Sequence, residues 1–311
     1  MSQSIFSSDF KPEPYWWDRT PRPVPLEASL PDQADVVIVG SGYTGLNAGL
    51  VTSRAGLTTV IVDAEQAGWG CSSRNGGQVS GEVKPSYKAL ARLHGTEQAY
   101  AIIAEARAAL RWIGDFIDEE GIDCDYRHCG RFHAAHSAQQ FTSQQEEFKS
   151  QFKGLERDGH LVNKAQLKNE VDSPYYHGGL VINEHASLDP ARYHQGLYER
   201  ALASGCHVVD NCRVGNIVRN SDGFNLTTAK GQIRAGKVIV ATSGYTGSAT
   251  PWHQRRIIPI GSYMLATEAL EPDLTRSLIP NDRVVSDTRK LVVYYRLSPD
   301  GRRILFGGRV S

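Results

Sequence analysis

Residues 34–50, ADVVIVGSGYTGLNAGL, set Gly40, Gly42 and Gly45 at Gly-x-Gly-x-x-Gly spacing between an apolar run and a helix-like pattern. At this spacing the first glycine permits a tight turn and the second lets backbone approach a pyrophosphate. The third lets the helix pack close on the strand, and Tyr43 and Thr44 fall at the helix start, whose N–H groups aim at phosphates. Asp63, followed by Ala64, lies about twenty residues on and closes a second apolar run, where a carboxylate can accept ribose hydroxyls. An acid rather than an arginine there disfavours a 2′-phosphate. A bare glycine turn is the competing interpretation, but strand, helix and acid together favour a bound dinucleotide. Nicotinamide and flavin proteins share this fingerprint, so the spacing alone does not choose between them.

A second stretch, GWGCSSRNGGQ, runs through Gly70, Ser72, Ser73, Arg74, Asn75, Gly76, Gly77 and Gln78. Adjacent glycines let main chain lie against a flat ring, and serine hydroxyls can meet phosphate oxygens. Taken alone, it reads as a flexible loop.

The elements that must position these residues follow from periodicity. A strand is predicted at Asp35–Val39, a helix from about Thr44 to Ala55, and a second strand at Thr58–Val62. Longer helices are predicted at Thr96–Glu120 and Ser137–Arg157, and Pro190 opens another. Strands follow at His207–Val209, Val214–Arg219, Phe224–Thr228 and Gln232–Ala235, with a separate apolar strand in KVIVATSGYTG. The first 33 residues, with prolines and Tyr15-Trp16-Trp17, read as an extended arm laid on the body of the protein.

Lys+Arg and Asp+Glu balance at 34 each in 311 residues, which argues against a nucleic-acid partner. Five cysteines without Cys-x-x-Cys spacing, and ten histidines without ligand spacing, offer no metal frame. His128, His133 and His136 read as ordinary surface or hydrogen-bonding residues. With no secretory pattern at the start and no apolar run of membrane length, a soluble cytoplasmic protein is expected.

VVIVGSGYTGLNAGL, IVDAEQAGWGCSSRNGGQVSGE, LDPARYHQGL and VIVATSGYTG occur in the order of the FAD-dependent amine and amino-acid oxidases of the D-amino-acid oxidase superfamily. GWGCSSRNGGQ and VVYYRLSPDGRRILFGGR look most like the gamma-glutamylputrescine oxidase branch. The resemblance covers nearly the whole chain from about Ala34. It implies FAD, with Asp63 on the adenosine ribose and residues 72–78 along the pyrophosphate, ribityl chain and isoalloxazine. It also implies Val214 backbone at the adenine and Ala241, Thr242 and Gly244 in a second cofactor turn. Tyr263, Tyr294, Tyr295 and Arg296 match the family's substrate sheet, with only one of Tyr294 and Tyr295 able to face the flavin; Tyr263, Tyr295 and Arg296 are taken as the pocket set. Cys71 stands where a small residue such as Ala is common and reads as apolar filler, with a flavin–thioether link as the alternative.

The implied fold is α/β: a Rossmann-like FAD-binding domain (34–83 and 187–250) interleaved with an α+β substrate domain (84–186 and 251–311) carrying an antiparallel sheet. Relatives carry a further C-terminal segment, so the substrate domain is expected to be incomplete here. The expected activity is oxidative deamination of a primary or secondary amine, gamma-glutamylputrescine-like, with oxygen as acceptor; no catalytic residue is named. The alternatives are a glycine- or sarcosine-type amino-acid oxidase or dehydrogenase, and a non-catalytic flavin-binding remnant. The oligomeric state is left open.

Overall fold

The computed structural model describes residues 6–24, 28–149 and 154–309. Its first sheet has six strands. β1 (Gln33–Val39), β2 (Thr59–Val62) and β9 (His207–Val209) run parallel, and β12 (Gly231–Val240) lies parallel to β1 on its other side. β11 (Gly223–Thr228) and β10 (Val214–Asn220) extend this sheet as an antiparallel meander. The connection from β1 to β2 is α2 (Tyr43–Arg54), and α6 (Pro190–Ala203) precedes β9.

β1 reads as an unbroken apolar run because both of its faces are covered. Val36 and Ile38 join the cluster holding Leu46 and Leu50 of α2 with Tyr193 and Leu197 of α6. Val37 and Val39 point the other way, among Val60, Val62, Leu226 and Ile233. Each such buried side chain contributes roughly 1.5–3 kcal/mol of transfer free energy.

The second sheet has seven strands in the order β13 (Ser262–Ala266), β16 (Ile304–Arg309), β15 (Val293–Leu297), β14 (Val284–Asp287), β5 (Arg131–Ala134), β7 (Gly178–Ile182) and β6 (Gly159–Asn163). It is mixed rather than purely antiparallel, because β14 and β5 pair in parallel. A three-stranded sheet of β3 (Gln78–Ser80), β8 (His185–Ser187) and β4 (Arg127–His128) joins the glycine loop to the rest of the molecule.

Three local expectations are corrected. The strands predicted at 232–235 and from 237 onward are one ten-residue strand, β12. Gly236 there is not a break: a Cβ would come 3.1 Å from the Asp35 carbonyl oxygen, so glycine admits the neighbouring strand. The helix expected over 137–157 is α5 (Ala138–Lys149), with 150–153 outside the described residues. The arm is not extended at its aromatic cluster, where Tyr15–Arg19 form a short helix, α1, that buries Trp16. The predicted helix over 96–120 is α4 (Thr96–Glu119), closed by Gly121 at positive φ.

Candidate functional site

Steric limits explain the glycines of the first turn. Gly40 has φ +108°, and a Cβ on it would lie 2.6 Å from the Ala241 carbonyl oxygen. A Cβ on Gly45 would lie 1.8 Å from the Gly40 carbonyl oxygen, so α2 can sit this close to β1 only with glycine there. Gly42 is the N-cap of α2 and has no side chain of its own to cap the helix. The Tyr43 amide is taken by Ser72 Oγ, and the first-turn N–H groups that follow it point toward an anion at the helix end. Thr44 is exposed in that turn.

Asp63 follows β2 and lies directly beneath this turn. Its Oδ2 accepts from the Ser41 amide (2.7 Å) and hydroxyl (2.6 Å), and its Oδ1 accepts from the Glu65 amide (3.0 Å). A carboxylate offers about four lone-pair positions, so acceptor capacity remains on Oδ1. Ala64, half-buried, continues the chain away from the acid. The Ser41 carbonyl receives a hydrogen bond from His194 Nε2 of α6 (2.8 Å), a support that the sequence reading did not assign.

The 70–78 loop folds onto the same helix end. Ser72 Oγ accepts from the Tyr43 amide at 3.2 Å, and a Cβ on Gly42 would sit 2.9 Å from that hydroxyl. Ser73 behaves differently from its neighbour. It is buried, accepts from Trp17 Nε1 (2.8 Å) and donates to the Gly68 carbonyl, so it is committed to protein rather than turned toward a phosphate. The 3-10 turn Cys71–Ser73 explains the difference, since adjacent residues in it project in different directions.

Asn75 stitches the loop internally, donating to the Cys71 and Ser72 carbonyls and accepting from the Gly77 amide (2.8 Å). Gly77, at φ +61°, has no room for a Cβ, which would meet the Leu188 carbonyl oxygen at 2.1 Å. Gln78 begins β3 opposite Ser187. Arg74 lies over the Trp69 ring, 4.5 Å from its centroid. Cys71 is exposed and free. Gly70 faces the Tyr245 ring.

The second turn lies against the first. The Ala241 amide donates to the Val39 carbonyl (2.8 Å), Thr242 bonds Thr246 (2.7 Å), and Gly244 approaches Pro259. An open groove of about 430 Å³ runs beside it, between Val240, Thr242 and Gly244 on one side and Ile257, Ile258 and Ile260 on the other. Val214 begins β10 two residues after Cys212, whose amide bonds the Asp63 carbonyl (2.6 Å), so it lies at the acid's end of the sheet.

Strand alternation revises the placement of the pocket set. Tyr294 and Arg296 share the sheet face that meets the 70–78 loop, whereas Tyr263 and Tyr295 are on the opposite face. The Tyr294 ring packs on Gly76, where a Cβ would lie 3.1 Å from Cε2, and its hydroxyl bonds Ser262 Oγ at 3.0 Å. Tyr295 instead stacks on Phe306 and bonds the Tyr176 hydroxyl at 3.4 Å within the hydrophobic cluster under the sheet, while Tyr263 is exposed. Arg296 is 2 % exposed and grips backbone: Nη1 donates to the Gly77 (3.0 Å) and Leu188 (2.9 Å) carbonyls, and Nε to the Leu297 carbonyl (3.1 Å). Burial pulls its pKa down to about 10.

The histidines are hydrogen-bonding residues, with His133 Nδ1 3.0 Å from Ser286 Oγ and His136 Nδ1 2.7 Å from Thr288 Oγ1, while His128 is exposed. Among the described residues no group of three or more His, Cys, Asp or Glu is placed to hold a metal ion, and no helix is long and apolar enough to cross a membrane.

A helix N-terminus over a glycine turn, an acid with spare acceptor capacity, and two further turns converging on that end fit a dinucleotide with its pyrophosphate at α2. They define a dinucleotide-binding α/β protein. Residues 35–310 match the family described as DAO, FAD dependent oxidoreductase, and the chain belongs to that family. The choice between nicotinamide and flavin therefore resolves to FAD.

Gamma-glutamylputrescine oxidoreductase of Escherichia coli (strain K12) is 33% identical over 281 residues, covering 89% of this chain and 64% of that protein. A probable oxidoreductase OrdL of Rhizobium meliloti (strain 1021) is 28% identical over 311 residues, covering 98% of this chain and 71% of that protein. The chain thus spans about two thirds of the length of the curated relatives it matches. Among solved structures, glycine oxidase from Geobacillus kaustophilus superposes with TM-score 0.70 at 18% identity, covering 90% of this chain and 72% of that one. L-proline dehydrogenase from P. horikoshii superposes with TM-score 0.70 at 15% identity, covering 91% and 71%. These likenesses establish the fold.

Proposed function

We propose that this site binds FAD and oxidises a primary or secondary amine of the gamma-glutamylputrescine type, with oxygen as electron acceptor. The observation that carries the cofactor half is the contact between Ser72 and the Gly42–Tyr43 end of α2, which brings the second glycine loop onto the dinucleotide turn. The amine half is supported by the 33% identity with gamma-glutamylputrescine oxidoreductase. The five free cysteines support a reducing, cytoplasmic setting, and the same relative supports a role in polyamine breakdown.

Bound here, FAD would supply the two-electron oxidant for the amine, giving an imine for water to hydrolyse. The protein's part is binding and orientation. The α2 N-terminus and Ser72 would hold the pyrophosphate, Asp63 the ribose and Val214 backbone the adenine. Ala241, Thr242 and Gly244 would contact the cofactor from the second turn. Gly76 and Gly77 supply a flat wall, and Tyr294, on the sheet face above Gly76, contacts the substrate in place of Tyr295. Arg296, buried with Nη1 and Nε on backbone carbonyls, is assigned to holding the loop. A neutral amine needs no general base, so none is assigned.

An anaerobic panel of amines and amino acids, scored by bleaching of the flavin absorbance, tests the reading. Bleaching by gamma-glutamyl polyamines, followed by faster reoxidation with oxygen than with a dye, is the expected result. Bleaching by glycine or sarcosine alone would assign an amino-acid oxidase. A flavin that no amine bleaches would leave a binding protein without this activity.

A further inference from the structure

We infer that Trp16, Trp17 and Arg296 form a three-point clamp that positions the 72–77 loop for the cofactor. The inference rests on the FAD reading above and extends it to residues outside the dinucleotide fold. The loop is held at every second residue from one side. Trp17 Nε1 donates to Ser73 Oγ at 2.8 Å, Trp16 Nε1 to the Asn75 carbonyl at 2.8 Å, and Arg296 Nη1 to the Gly77 carbonyl at 3.0 Å. Ser73 and Gly77 are buried as a result. Ser72, just before the first held residue, and Gly76, between the last two, are left to face the α2 end and the Tyr294 ring.

The clamp is a connected unit. The Arg296 guanidinium lies 5.7 Å from the Trp16 ring centroid, so the arm and the seven-stranded sheet meet beneath the loop. Trp16 is 3% exposed and packs with Ala191 of α6 and Leu305 of β16. Arg19 anchors the far end of α1, 3.0 Å from Asp125 and 3.5 Å from Asp189, the N-cap of α6. Arg74 lies across the rim, over Trp69 and 5.6 Å from the Trp17 ring centroid. A glycine-rich segment has many backbone states to lose on binding a ligand. Holding it in one state beforehand lowers that cost, so the clamp acts on affinity by preorganisation.

Buried indole N–H groups need acceptors, and these two find theirs on the loop itself rather than on the adjacent helix α6. Trp16 and Trp17 are positioning residues, acting through the loop. Trp16→Phe and Trp17→Phe retain an aromatic ring while removing the indole N–H together with part of the ring volume, and Arg296→Lys keeps the charge and loses the fork.

The test uses two readouts on the full chain: trypsin cleavage after Arg74 in flavin-free protein, followed by peptide mass spectrometry, and FAD affinity from quenching of flavin fluorescence. Loss of one such hydrogen bond is expected to raise cleavage at Arg74 and weaken FAD binding each by up to about tenfold. Cleavage at other sites stays unchanged, and the visible circular dichroism of the bound flavin is altered. Lys11→Ala, which removes only a surface pair with Asp18, leaves both readouts at the wild-type level. Should Trp16→Phe fail to fold, judged by far-ultraviolet circular dichroism, the half-buried Trp17→Phe variant decides alone. A folded Trp17→Phe protein with unchanged Arg74 cleavage and unchanged FAD affinity overturns the clamp. If the wild-type chain binds no flavin, the functional reading fails, while cleavage at Arg74 still decides whether the clamp holds the loop.

Discussion

Gly42 and Ser72 face each other across the end of α2 so closely that a Cβ on Gly42 would stand 2.9 Å from Ser72 Oγ. Ser72 in turn accepts the Tyr43 amide. A methyl at position 42 would turn the hydroxyl aside and obstruct the approach of a phosphate. Gly42→Ala and Ser72→Ala are each expected to weaken FAD binding, the first by about 1–3 kcal/mol. Because they act on one contact, the double variant should be little worse than Gly42→Ala alone. Simple additivity in a fluorescence titration would show that the two residues work independently.

Gly45 is a stability position. Its Cβ would overlap the Gly40 carbonyl oxygen at 1.8 Å, and that oxygen is backbone held by β1. Gly45→Ala should cost about 3 kcal/mol or more, because helix and strand must separate to admit it. Urea unfolding of the flavin-free chain measures this without reference to activity, and a midpoint equal to wild type would mean that the turn is pliant.

Asp63→Ala removes the acceptor for the Ser41 amide and hydroxyl and for the Glu65 amide. FAD affinity should fall by about 1–3 kcal/mol, the range for a charged hydrogen-bond partner. Protein released by denaturation should yield one FAD per chain in the wild type and less in the variant. Chromophore retained on the precipitated chain would instead indicate a covalent link, for which exposed Cys71 is the available thiol.

Strand faces separate two adjacent tyrosines. Tyr294→Phe loses the bond to Ser262 and alters the surface over Gly76, so KM for the amine and the flavin spectrum should both change. Tyr295→Phe loses one 3.4 Å contact with Tyr176 inside the cluster and should cost no more than about 1 kcal/mol of stability with kinetics intact. A reversed pattern would return Tyr295 to the pocket.

Two histidines set a pH dependence. Burial, with the Arg131 charge next, lowers His185 to about 3, Glu82 opposing and Arg296 adding to the shift. Burial and Arg131 likewise lower His133 to about 4, against Glu82 and Asp287 and with Lys84. Both folded-state values lie below the unfolded value of about 6.5, so the unfolded chain binds more protons as pH falls below it. Stability is complete above pH of about 6.5 and should fall by up to about 1.4 kcal/mol per pH unit for each histidine toward the folded-state values. His185→Gln should remove its share of the slope between pH 7 and 5 in urea unfolding. An unchanged slope would place the titration elsewhere.

Much of the cofactor half of this protein was legible in the sequence, because its signals are local. Gly40, Gly42 and Gly45 are required by contacts within one strand–turn–helix unit, and Asp63 by its place at the end of the next strand. The strand and helix periods that carried them depend on burial of β1 from both sides. Tertiary structure decided which members of each pair face the site. Ser72 and Ser73 look alike in sequence, yet only Ser72 reaches α2, since Trp17 from the arm occupies the hydroxyl of Ser73. The sequence reading put Tyr295 in the pocket, but the pairing of β15 with β16 turns Tyr294 to the face that meets the 70–78 loop. Arg296 reads as a pocket residue, but the fold gives its Nη1 to the Gly77 and Leu188 carbonyls. The Trp16-Trp17 pair carried one usable signal, two indole N–H groups that must find acceptors when buried. That those acceptors lie 59 and 56 residues further along the chain is a long-range contact, and no local spacing encodes it.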